Sequence, residues 1–142
     1  MTVRTPPPPP AADPAALVEL ATDVALRAAR LLLDGVGRAR ATVETKSSAT
    51  DMVSEMDRAA EHLIVDALLG ARPDDGIVAE EGSSRPGTSG VRWVVDPLDG
   101  TTNYLYGLPG WAVSIAAEDD GGVVAGVVVD GVQGEVFSAP RG

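Results

Sequence analysis

Hydrophobic and polar positions along this chain follow one period up to about residue 71 and another from residue 76 onward. In "PAALVELATDVALRAARLLLDG", Leu17, Leu20, Val24, Ala28 and Leu31 recur at helical spacing and share one face. Asp13-Pro14 reads as the N-cap and first residue of that helix, and Gly35 and Gly37 are expected to end it. A short extended piece and a second helix are expected within "ATVETKSSATDMVSEMDRAAEHLIVDALLGARP". There Ser54, with Asp57 three residues on, resembles a capping box with Asp in place of Glu. Leu63, Ile64, Ala67 and Leu68 supply the apolar stripe, and Gly70 and Pro73 stop the helix.

The second half reads as sheet. "GIVAEEG", "VRWVVD", "WAVSIAAE", "GVVAGVVVD" and "GEVFSA" are short apolar runs of strand length. The third and fourth are joined through Asp119-Asp120-Gly121-Gly122, a hairpin-like turn. Successive strands are close enough to pair antiparallel, and no internal repeat is evident. The expected fold is α/β, a layered α+β sandwich with two helices on one face of a mostly antiparallel sheet.

Composition narrows the class. At 142 residues the chain is long enough for one domain with a real core, and 44% apolar residues fit a folded protein. Residues 1–12 contain five consecutive prolines, Pro6 to Pro10, and are expected to form a disordered polyproline-type tail, leaving 13–142 as the domain. No apolar run approaches the roughly 18 residues of a membrane helix, and the N-terminus lacks the apolar core of a signal peptide. With no cysteine there are no disulfides, zinc-thiolate sites or thiol nucleophiles, and a cytoplasmic location is expected. Lys plus Arg is 11 against 21 Asp plus Glu, a net charge of −10, which disfavours a nucleic-acid partner. Most of this acidity reads as solubility, so only acids that converge in space argue for a cation site. His62, the single histidine, has polar helical neighbours and reads as a solvated helix residue.

The acids that could converge begin with "VVDPLDGTTN", where a buried strand runs into Asp96, with Asp99 three residues later. Pro97 is expected to turn the chain so that both acids and the Leu98 carbonyl face one volume. Two adjacent carboxylates repel unless a cation neutralises them, and hard ions such as Mg²⁺ take all-oxygen sites. Gly100-Thr101-Thr102 reads as the start of a short helix, whose free N–H groups form a ready phosphate site. The same residues also suit an Asp-Pro turn and a capped helix without chemistry. In "VAEEGSS", Glu80 and Glu81 alternate faces if the strand continues, so at most one joins Asp96; a solvated strand edge is the other reading. In "KSSATDMVSEMD", Lys46, Asp51, Ser54 and Asp57 surround a helix start, where Asp57 would feel the helix dipole or simply cap and solvate.

Together "KSSATDMVSEMDRAAE", "VAEEGS" and "WVVDPLDGTTNYLYGLPGWAVSI" resemble the inositol monophosphatase family of Mg²⁺-dependent, lithium-sensitive phosphatases. Its D-P-[LI]-D-G-T-T-N signature is complete at Asp96–Asn103, and the resemblance covers roughly residues 15–142. It implies the N-terminal half of an αβαβα sandwich. It also implies Glu80 and the Leu98 carbonyl on a first metal, Asp96 bridging two metals, and Asp99 on the second. Thr101, with Asp57 behind it, is implied to orient the attacking water, and Gly100, Thr101 and Thr102 to receive the substrate phosphate. The implied mechanism is in-line attack by metal-bound water on inositol monophosphate or a similar small sugar or polyol phosphate. The full family domain is expected to form a homodimer, without nucleic-acid or membrane partners.

One departure is large. The family continues into a second layer carrying a Trp-Asp-x-Ala motif, whereas Trp93 and Trp111 are followed here by Val94 and Ala112. The chain therefore reads as the N-terminal portion of such an enzyme. Two alternatives accompany the phosphatase reading. One is a catalytically incompetent cation- or phosphate-binding fragment, and the other a structural or dimerising module. Sister activities on fructose 1,6-bisphosphate, histidinol phosphate or 3′-phosphoadenosine compounds are the competing substrate classes.

Overall fold

Asp13 caps the first helix as its sequence predicts: its Oδ1 accepts the Ala15 N–H at 3.1 Å. That helix, α1, spans Pro14–Val43. In the computed structural model the described residues are 12–43, 49–80 and 82–142, without the side chains of 37–43 and 49–51. The proline run, the segment 44–48 that includes Lys46, and Glu81 lie outside them, as does the side chain of Asp51. The helix does not stop at Gly35 or Gly37. A Cβ at Gly35 would lie 2.3 Å from Met56 Cε and 2.9 Å from the Tyr104 hydroxyl. Glycine there answers a close approach between elements, not a helix end.

The second helix, α2, spans Ala49–Ala71 and begins before Ser54. Ser54 is therefore not a cap, and Asp57 lies in the helix interior, beyond the first turn where the dipole acts. What places Asp57 is its face. Val53, Asp57, Ala60, Ile64 and Leu68 recur at three- and four-residue steps and are all buried. The helix closes with Arg72 N–H donating to the Leu68 carbonyl at 2.8 Å.

Six strands form one sheet in the order β2-β1-β3-β4-β5-β6. They are β1 Gly76–Ala79, β2 Ser84–Arg85, β3 Arg92–Asp99, β4 Ala112–Asp119, β5 Gly122–Asp130 and β6 Val136–Pro140. A short helix, α3, spans Thr101–Leu105 between β3 and β4. All neighbours pair antiparallel except β1 and β3, which are parallel. That exception corrects the expectation that successive runs pair antiparallel. The two-residue β2, too short to show a period, folds back on the outer side of β1. The chain then enters β3 on the other side of β1, running the same way.

The helices α1 and α2 cover one face of the sheet. Register lines up its core rows: Ile77, Trp93, Ala117 and Ala125 in one, Ala79, Val95, Ile115 and Val127 in the next. All eight are buried. Each large apolar side chain so buried contributes roughly 1.5–3 kcal/mol. The opposite face carries Val78, Val94, Val128 and Phe137, all exposed. Among the described residues no helix is long and apolar enough to cross a membrane.

Candidate functional site

Asp96 lies within β3, not at its end. The strand does not turn at Pro97 but continues to Asp99. Asp96 faces Ser114 of β4 and Asp99 faces Ala112, so three steps on β3 match two on β4. The extra residue makes a β-bulge at Pro97-Leu98. Proline has no ladder N–H to lose and suits a bulge better than a regular sheet position. The bulge, in place of the expected turn, sets the directions of Asp96 and Asp99. Leu98 is buried, Asp96 half-buried and Asp99 exposed.

Beside it, β1 ends at Ala79, opposite Val95. Glu80 N–H donates to the Val95 carbonyl at 3.1 Å, which sets the Glu80 backbone next to Asp96. Glu80 belongs to a turn and not to a strand, so strand alternation does not decide which way it faces. The turn is closed by Gly82 N–H to the Ala79 carbonyl at 3.1 Å and by Ala79 N–H to the Ser83 carbonyl at 2.8 Å.

Directly after the bulge Gly100 takes the left-handed conformation, φ 85° and ψ 43°, as the N-cap of α3. A Cβ there would stand 2.4 Å from the Gly110 carbonyl oxygen, so glycine is required by both conformation and space. The short helix is held by Tyr104. Its hydroxyl donates to the Leu32 carbonyl of α1 at 2.7 Å, and its ring meets Trp111 edge-on at 5.2 Å. With Tyr104 buried, Thr101 and Thr102 are left exposed. Asp57 is only 5% exposed, on the face of α2 that packs toward β3 and α3.

The backbone thus brings Glu80, Asp96, Asp99 and the Gly100–Thr102 helix start to one region, where β1 ends and the neighbouring β3 runs on through its bulge. Among the described residues no three Asp, Glu or His side chains are gathered closely enough to hold a metal ion. The donor chemistry nonetheless fits a hard cation, because every candidate ligand is a carboxylate or a carbonyl oxygen. Sequence reading missed Glu61. It is as buried as Asp57 and one helical turn after it, and its Oε2 accepts from the Ser83 hydroxyl at 2.6 Å. The four-residue spacing from Asp57 was the available signal. Asp75 was missed as well; it is buried with four hydrogen-bond contacts at the start of β1.

Known proteins resemble this chain in sequence and fold. An inositol-1-monophosphatase of Rhizobium meliloti is 39% identical over 128 residues, covering 89% of this chain and 48% of the relative. A histidinol-phosphatase of Chlorobaculum parvum is 39% identical over 125 residues, 88% of this chain and 48% of the relative. The crystal structure of the extragenic suppressor protein suhB from Bartonella henselae superposes with a TM-score of 0.77 at 41% identity, covering 89% of this chain and 49% of that one. The chain spans about half the length of the curated relatives it matches. The profile of the inositol monophosphatase family matches residues 13–142, which includes the bulge, the Glu80 turn and α2. With that span and those identities, the chain belongs to the inositol monophosphatase family.

Proposed function

We propose that this sequence supplies the cation- and phosphate-handling part of a Mg²⁺-dependent phosphomonoesterase acting on inositol monophosphate or a similar small polyol or sugar phosphate. The observation that carries the reading is the adjacency of the Glu80 turn to the Asp96–Asp99 bulge, followed at once by Gly100 and α3. In this reading Glu80, Asp96, the Leu98 carbonyl and Asp99 would hold the cation, and Asp96 would serve both sites if two ions bind. Bound there, Mg²⁺ supplies electrostatic stabilisation of the charge that builds on the phosphoryl group. The Thr101 hydroxyl, with Asp57 behind it, orients the water that attacks phosphorus in line. Backbone N–H groups of Gly100 and Thr101, with Thr102, receive the phosphate oxygens. The chain offers no cysteine as a covalent phosphoenzyme carrier, and its single histidine, His62, is exposed on α2. Lithium sensitivity, a homodimer and a cytoplasmic location come with the family reading.

The test is phosphate release from inositol 1-phosphate, histidinol phosphate and fructose 1,6-bisphosphate, with and without Mg²⁺ and with added Li⁺. It is run on a protein of full family length bearing this sequence. Mg²⁺-dependent release, fastest on the inositol phosphate and inhibited by Li⁺, is the expected result; equal rates after chelation sink the reading. A second reading is that residues 1–142 by themselves bind cation and phosphate without turnover; the chain spans about half the length of the curated relatives it matches. The same assay on residues 1–142, paired with calorimetric titration of Mg²⁺, separates the two.

A further inference from the structure

We propose that Glu61 is a positioning residue: through Ser83 it anchors to α2 the turn that carries Glu80. The inference rests on the reading of Glu80 as a cation ligand. Glu61 is 5% exposed, and a carboxylate at such a position is costly unless it is bonded. Core packing alone would favour an apolar side chain there. The Ser83 hydroxyl donates to Glu61 Oε2 at 2.6 Å, the short distance of a bond to a charged acceptor.

Ser83 is no isolated surface serine. Its carbonyl accepts the Ala79 N–H at 2.8 Å, and the neighbouring Gly82 N–H donates to the Ala79 carbonyl at 3.1 Å. The Ser83 side chain therefore fixes one leg of the turn to α2. The other leg is fixed to β3 by Glu80 N–H and the Val95 carbonyl. Glu80 itself is exposed, so its own packing does not hold it. Asp57 and Glu61 sit one turn apart and are equally buried. The helix that carries Asp57 thus also sets the height of the Glu80 turn. The relative position of these two acids is transmitted through Glu61.

The experiment uses the 142-residue chain with Ser83→Ala, Glu61→Ala, Glu61→Gln and Glu80→Gln. Amide hydrogen exchange reads the tie, and calorimetric titration with Mn²⁺ reads its consequence. Ser83→Ala and Glu61→Ala are expected to speed exchange at Gly82 and Glu80 while leaving Ile115 and Ala117 in β4 unchanged. Both are expected to weaken Mn²⁺ binding by about 10-fold, the lower end for partners that orient a ligand. Glu61→Gln keeps an acceptor oxygen and is expected to restore most of both, whereas Glu80→Gln weakens Mn²⁺ more than any of them without altering exchange. Unchanged exchange in Ser83→Ala overturns the proposal alone. Glu61→Gln as damaging as Glu80→Gln, with exchange intact, makes Glu61 a ligand and also overturns it. Unchanged Mn²⁺ affinity in Glu80→Gln overturns the ligand reading, and the proposal with it.

Discussion

Inside the protein the indole Nε1–H of Trp93 donates to Asp75 Oδ2 at 2.8 Å, and neither side chain reaches solvent appreciably. Ser89 Oγ donates to the other carboxylate oxygen at 2.7 Å, and Arg72 pairs with Oδ2 from the α2 end. One buried carboxylate therefore joins the end of α2, the crossover before β3 and the centre of the sheet. Replacing it with alanine leaves the indole N–H without an acceptor and frees the crossover. We expect Asp75→Ala to cost about 2–3 kcal/mol, the range for an orphaned buried donor plus a lost bond to a charged group. Arg72 is partly exposed and can turn to water, which keeps the loss from being larger. The shift in the urea midpoint at unchanged slope measures it.

Gly100→Ala tests the candidate site itself. The left-handed conformation costs a non-glycine residue about 1–2 kcal/mol, and the added Cβ meets a backbone carbonyl that cannot rotate away. The melting temperature is expected to fall, with the largest chemical-shift changes in α3 and at Gly110 and Trp111. A melting point equal to that of the parent would show that the loop from Asn103 to Gly110 yields easily.

Of these two positions Gly100 was legible in the sequence and Asp75 was not. The end of β1, the strand through Asp96 and the β4–β5 hairpin follow from apolar runs and a turn of Asp and Gly, which act locally. The acids Glu80, Asp96 and Asp99 were legible as candidates because of their sequence neighbours. What failed depended on partners distant in sequence. Gly35 looked like a helix end because glycine ends helices, but its neighbours Met56 and Tyr104 come from other elements. Ser54 and Asp57 looked like a capping box, yet α2 starts five residues earlier. The Pro97 turn is a bulge, because β4 pairs with β3 on both sides of it. Asp75 and Glu61 are charges buried by long-range contacts; Asp75 carries no local pattern, and Glu61 only its four-residue spacing from Asp57.

Asp119 and Arg141 give a pH prediction. The guanidinium bonds both carboxylate oxygens, at 2.9 and 3.1 Å, and also the carbonyls of Gly122 and Val123. The bond from Arg141, and then the Gly121 N–H, hold the Asp119 carboxyl below its ordinary range. A lowered carboxylate pKa stabilises the fold above the ordinary value of about 3.9 and ceases to do so as pH falls through the lowered one. The end of β6 is therefore expected to loosen in acid, at a pH below that where free aspartates titrate. Carbon-detected titration of the Asp119 carboxyl checks it. In Arg141→Ala the midpoint should rise toward the ordinary value; an unmoved midpoint removes the pair as its cause.

On the catalytic side, Asp96→Asn in a protein of full family length is expected to lower kcat by at least 100-fold at saturating Mg²⁺, because in the proposed reading a carboxylate that holds the cation is lost. A loss within about threefold, under ~1 kcal/mol, would remove Asp96 from the cation site. Thr101→Ala and Asp57→Asn are each expected to lower kcat with little change in Mg²⁺ affinity. If they orient one water together, the double variant loses no more than the worse single one. Losses that multiply would separate the pair.

The last prediction concerns the face opposite the helices. Register sets Asp96, Ser114, Val128 and Phe137 in one cross-strand row on that face. Val128 is 39% and Phe137 56% exposed, and a shallow groove of about 320 Å³ runs between β4, β5 and β6 beside them. Val78 and Val94 extend the apolar surface across β1 and β3. Contiguous apolar area of this kind binds dyes and other chains, and β6 adds a sheet edge to it. Residues 1–142 alone are therefore expected to bind anilinonaphthalene sulfonate at neutral pH and to self-associate at micromolar concentration, while keeping native near-ultraviolet dichroism. Phe137→Lys places a charge on the edge strand, and Val128→Lys places one in the groove. Each should reduce dye binding and shift the chain toward monomer without lowering the melting temperature, because both side chains are exposed. A parent chain that is already monomeric and binds no dye would show that this face is too interrupted, by Asp96 and Ser114 in one row and Gly126 in the next, to act as one apolar surface.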